Sequence, residues 1–149
     1  MSPQSIGPEQ HAKLESLLRH FTQECALDAV AVCDTGGTII ASQAVAVLDG
    51  FDNAAALAAA AFAATRELAA LIGERAFDSL MLRGSAKGVM TKAIGPAHMV
   101  VIFLGAQSVE GMVRLVLRKV APQIESVIEL ADTSAFAGAG DIEIKSMAS

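Results

Sequence analysis

Two short segments, Ala29-Val30-Ala31-Val32-Cys33 and His98-Met99-Val100-Val101-Ile102-Phe103-Leu104, are apolar at nearly every position. Side chains alternate between the faces of a strand, so a run of this kind has no side that suits water. Each segment must be a central strand covered above and below. Helices must therefore lie on both faces of one sheet.

The rest of the chain supplies those helices and the remaining strands. Pro8 after Gly7 suits a first helical position, Glu9 sits at the positive end of the dipole, and Leu14, Leu17, Leu18, Phe21 and Cys25 recur at helical spacing, so residues 8–25 are a helix. Asp34-Thr35-Gly36-Gly37 is a tight turn that returns the chain into a second strand, Thr38 to Ser42. A loop from Asp49 ends in the cap residues Asp52 and Asn53, and a helix then runs to Ile72, with Gly73 as its C-cap. Phe77 to Arg83 and Val89 to Ile94 read as strands, and Gly95-Pro96 precedes the last one. Ser108 is placed to cap a final helix carrying Met112, Val113, Val116, Val120, Ile124 and Val127, which Pro122 should kink or divide. The pattern fades after Leu130, and Ala137-Gly138-Ala139-Gly140 suggests a flexible end.

The order is α-β-β-α-β-β-β-α, an α+β chain. Strands joined by short turns are antiparallel neighbours, and the two doubly covered strands belong together in the middle. The simplest antiparallel sheet has the order 2-1-5-4-3. The expected division is an N-terminal arm over 1–7, one domain over 8–130 and a flexible tail over 131–149.

Composition narrows the function. A chain of 149 residues with 53% apolar and 18% charged residues can build a core. Its net charge of −5 and its lack of Trp and Tyr argue against a nucleic-acid partner. Cys25 and Cys33 stand eight apart and only three His are present, which matches no zinc or redox spacing; buried free thiols in a reducing cytoplasm are expected. The N-terminus shows no basic start followed by an apolar stretch. Ala54 to Ile72 is the most apolar segment, but alanine is weakly hydrophobic and Arg66-Glu67 interrupts it, so membrane insertion is not expected.

The second helix is the informative element. At 100 degrees per residue, Ala61, Ala64, Leu68, Leu71 and Ile72 fall within about 60 degrees of Leu57, and this stripe is expected to pack on the sheet. The opposite side then carries Ala55, Ala59, Phe62, Arg66, Ala69 and Ala70, where a helix lying alone on a sheet would present Lys and Glu. Eleven of the seventeen residues 54–70 are alanine, which lets two helix axes come close. The expected interface is isologous and self-associating, through Ala55, Ala59, Phe62, Arg66 and Ala70. The sheet-edge strand, with Phe77, Ser79 and Met81, pairs with its own copy across the same two-fold.

Motifs with chemistry are few. Asp34-Thr35-Gly36 matches the aspartic-protease triplet, in which two carboxylates share one proton, but a hairpin turn needs the same residues. Neither GxxxxGK[ST] nor GxGxxG occurs, and there is no GxSxG or HExxH. His98, in an apolar strand, reads as a packed histidine. Arg66 reads as a solvated or rim residue rather than an arginine finger, and Arg114, Arg118 and Lys119 read as a solvated basic group. No catalytic, cofactor or metal site is expected.

Leu14-x-x-Leu17-Leu18-x-x-Phe21, followed by Asp28-Ala29-Val30-Ala31-Val32-Cys33-Asp34-x-x-Gly37-Thr38-Ile39-Ile40-Ala41-Ser42, resembles the roadblock/dynein light chain family. Glu67-Leu68-Ala69-Ala70-Leu71-Ile72-Gly73-Glu74, Gly88-Val89-Met90 and Val100-Val101-Ile102-Phe103 extend the likeness over residues 10–128. Its bacterial MglB-like members, regulators of small Ras-like GTPases, are the most similar in character. The resemblance implies a profilin-like, roadblock architecture and homodimers whose sheets join through the second helix and third strand. It also implies a cytoplasmic, non-enzymatic regulator that binds a small Ras-like GTPase and modulates its nucleotide cycle. The alternatives are a scaffold or adaptor subunit without GTPase contact, and a hydrolase using Asp34 across a dimer.

Overall fold

The computed structural model describes residues 6–45 and 49–148, with side chains as far as Leu130. Its elements are α1 (Pro8–Cys25), β1 (Ala29–Asp34), β2 (Ile39–Ala44), α2 (Phe51–Ile72), β3 (Ser79–Arg83), β4 (Gly88–Ile94), β5 (His98–Leu104) and α3 (Glu110–Ala148). The five strands form one antiparallel sheet in the order β2-β1-β5-β4-β3. Most of the arm expected over 1–7, residues 1–5, lies outside the described residues, as does Ser149 at the end of the expected tail.

Strand alternation divides the core in two. Val30 and Val32 of β1 lie opposite Ile102 and Val100 of β5 and face α1 and α3, where Leu14, Leu18, Phe21, Val113, Leu117 and Ile124 complete the larger core. Ala31 and Cys33 lie opposite Val101 and Met99 and face α2. Both central strands are therefore covered on both sides, as their sequences require.

Three local readings are corrected. The N-cap of α2 is Gly50, at φ 75°, with no side-chain cap, so Asp52 and Asn53 lie inside the first turn. Ser108 does not cap α3: its hydroxyl accepts the Gly105 N–H at 2.9 Å and lies 3.0 Å from the Cys25 carbonyl, tying the β5–α3 corner to the end of α1. Pro122 does not divide α3; it is exposed, as is Arg118, whose carbonyl loses its helical N–H partner on the side open to water. The α3 backbone is helical to Ala148, so the division expected at residue 130 falls within this helix.

One turn fixes how close α2 lies. Gly37 has φ +89°, and a Cβ there would sit 2.7 Å from Ala56 Cα. Gly37→Ala combines a left-handed strain with a clash against helix backbone. We expect it to cost about 2–4 kcal/mol in chemical denaturation. Gly36→Ala, two residues from Asp34 and with its nearest contact at 3.4 Å, is the control expected to cost much less.

Candidate functional site

The face of α2 that meets the sheet is the alanine face. Ala55, Ala58, Ala59, Phe62 and Ala69 are buried, and Phe62 packs among Ala31, Cys33, Met99 and Val101. This reverses the sequence expectation: Ala55, Ala59 and Phe62 belong to the core of the protomer and cannot form an interface. The reason is steric. Alanines let the helix settle close to a sheet face whose own residues include Ala31 and Cys33, and one Phe fills the remaining gap. Leucines on that side would hold the helix away.

The leucines stand outside instead. Leu57 is 71% exposed, Leu68 50%, Leu71 84% and Ile72 64%. They line one stripe with the half-buried Ala61 and the exposed Ala64 at its middle. An isolated exposed leucine is ordinary, but four large apolar side chains on one helix face form a contiguous apolar patch, which a monomeric surface rarely carries without use.

The helix also touches β3, whose outer edge is open, since β3 pairs only with β4 among the described residues. Leu80 packs toward the α2-side core, and Leu82, two residues on and on the same face, is 49% exposed. Met81 points the other way, into the core under α1 and α3. Of the other residues expected at an interface, Arg66 and Ala70 are exposed, and Phe77 and Ser79 are half-buried. The sequence reading missed Leu57, Leu68, Leu71, Ile72 and Leu82 as surface residues.

Asp34 is a turn residue in geometry. Its Oδ1 accepts the Gly36 N–H at 3.0 Å and the Thr38 N–H at 2.9 Å, and its carbonyl accepts the Gly37 N–H at 3.0 Å. His98 lies opposite it in the β1–β5 ladder and is half-buried. Cys25 and Cys33 are free and buried. Burial, aided by the neighbouring Asp34 carboxylate, pushes the Cys33 thiol up to about 12, so it is no nucleophile at neutral pH. Among the described residues no three His, Cys, Asp or Glu side chains gather as a metal site. Length and composition alone would allow α2 to cross a membrane. Its Phe62 face is instead seated on the sheet.

Residues 13–103 match the family model for the Roadblock/LC7 domain. The chain belongs to the Roadblock/LC7 family. No curated protein sequence matches it. The gliding protein MglB from Thermus thermophilus has a similar fold, with a TM-score of 0.79 at 21% identity, covering 85% of this chain and 96% of that one. Myxococcus xanthus MglB gives a TM-score of 0.77 at 23% identity over 85% of this chain and 96% of its own. A Roadblock/LC7 domain from Streptomyces avermitilis gives 0.70 at 11% identity, covering 77% and 97%. The order β2-β1-β5-β4-β3 and the helices on both faces are thus the Roadblock/LC7 architecture, and α3 lies beyond the segment that the family model matches.

Proposed function

We propose that this Roadblock/LC7 domain acts as a homodimer that binds a small Ras-like GTPase and modulates its GTP hydrolysis or nucleotide cycle. The observation that carries the reading is the exposed Leu57–Leu71 stripe beside the open β3 edge. In an antiparallel two-fold pairing, Ala61 and Ala64 lie at the centre and let the two helix axes approach. Leu57 of one protomer then meets Leu71 of the other, and Leu68 covers Ala61. Each leucine contributes roughly 1.5–3 kcal/mol when fully buried, and symmetry doubles every contribution. Pairing of the β3 edges satisfies their outward N–H and C=O groups and runs one sheet through both copies. Arg66 and Ala70 flank this contact on α2, whereas Phe77, Ser79 and Met81 contribute through the backbone of the β3 edge and the segment leading into it.

The link to a GTPase rests on family membership and on the fold shared with MglB. The composite surface of the dimer would act by preferring one arrangement of the GTPase switch segments, with no catalytic group of its own. A cytoplasmic setting, where such GTPases work and thiols stay reduced, accords with Cys25 and Cys33 being free. The test mixes the purified chain with each small Ras-like GTPase of the same cell and follows GTP turnover and complex mass. A complex of two copies with a GTPase and a changed turnover is expected. A complex without a rate change favours the scaffold reading, and absence of any complex sinks both.

A further inference from the structure

A small hollow of about 120 Å³ opens between the start of β3, β4 and α3, on the face opposite α2. Met90 and Leu117, both buried, form its apolar floor. Its walls carry Lys92, Arg114, Arg118, Ser79 and Asp78. Three of the eleven Lys and Arg residues of an acidic chain line this hollow, and Arg83 connects to Arg114 through Glu110 farther along α3. Arg114 and Arg118 are one helical turn apart and project to the same side of α3.

The charges do not cancel. Arg114 Nη2 lies 3.1 Å from Glu110 Oε1, and Glu110 is shared with Arg83; the hydrogen bond from Arg83, then that from Arg114, holds its carboxyl below the usual range. Lys92 pairs with Asp78. Arg118 has no carboxylate within ion-pairing distance among the described residues. Around the hollow itself stand three cations and one carboxylate. The Asp78 side chain is 80% exposed, whereas that of Lys92 is only 23% exposed. The ammonium is thus held inside and its partner sits at the mouth, free to leave. The apolar floor strengthens the field of such a group.

We propose that this hollow binds a phosphate group, which takes the place of the Asp78 carboxylate on Lys92. The guanidinium forks of Arg114 and Arg118 grip the remaining oxygens, and the Ser79 hydroxyl donates to one of them. Every lining residue comes from one protomer, so the hollow does not need a second copy to be complete.

The full chain, labelled with ¹⁵N, is titrated with inorganic phosphate and, separately, with O-phosphoserine. Acetate and chloride at matched ionic strength are the controls. Saturable amide shifts at Ser79, Lys92 and Arg118 are expected with phosphate. The same shifts with O-phosphoserine would extend the site to a phosphorylated side chain, and their absence would restrict it to the free ion. Arg118→Gln, an exposed change, should weaken phosphate about fivefold, and Asp78→Asn should tighten it about threefold by freeing Lys92. Scattered, unsaturable shifts, equal response to acetate, or weaker binding by Asp78→Asn would each overturn the assignment.

Discussion

Phe62→Asp is expected to leave no folded protein at room temperature. The Phe62 side chain is 1% exposed and fills the space between α2 and the sheet, against Ala31, Cys33, Met99 and Val101. Truncating a buried Phe costs ~3–5 kcal/mol through lost transfer energy and the cavity left behind. The aspartate adds a carboxylate among apolar neighbours with no cation in that cluster, a further cost of several kcal/mol. Domains of this size are stable by only about 5–15 kcal/mol, so the sum exhausts the margin. Far-UV circular dichroism and protease resistance report the outcome. Phe62→Leu, which keeps most of the volume, should fold with a lowered midpoint. A soluble Phe62→Asp chain with native circular dichroism would place Phe62 outside the core.

Leu68→Glu combined with Leu71→Glu is expected to behave in the opposite way. These side chains are 50% and 84% exposed, so the protomer loses almost no burial and its unfolding midpoint should shift little. The effect falls on association. By two-fold symmetry the pair introduces two carboxylates on each side of the helix contact. That removes roughly 1.5–3 kcal/mol for each leucine buried in the dimer and sets like charges near one another. Dimer dissociation should weaken by at least about a hundredfold, read by sedimentation equilibrium across the micromolar range. Any effect on the partner GTPase should vanish with it. Native mass retained in the double variant would remove the α2 face from the interface. The two experiments separate cleanly, since one destroys the fold and the other leaves it intact.

Much of this architecture is legible in the order of residues. Ala29–Cys33 and His98–Leu104 show as central strands because both of their faces are apolar, and the turn Asp34-Thr35-Gly36-Gly37 joins β1 to β2 as its residues suggest. The sheet order follows from short connections and from those two strands having to be neighbours. The Gly73 cap at φ +79° and the Pro8 start of α1 are local signals that depend on nothing distant. Ser108 is less legible. Its sequence position suits a cap, but its hydroxyl is taken by Gly105 and by the end of α1, more than eighty residues away.

The orientation of α2 marks the boundary between the two kinds of information. Its periodicity defines two apolar faces, and hydropathy alone favours leucine over alanine for the interior. What decides is the distance between helix axis and sheet, set by Gly37 against Ala56 and by small residues on the strands below. That distance is a property of packed volumes contributed by β1, β5 and α2 together, and no window of sequence contains it. The sequence by itself determined which segments are strands and which are helices, because these depend on neighbours a few residues apart, and it determined the strand order because short turns and two doubly apolar strands leave one simple arrangement. Only the tertiary structure decided that Phe62 lies inside and the leucines outside, because close packing favours the face that fits over the face that is more hydrophobic.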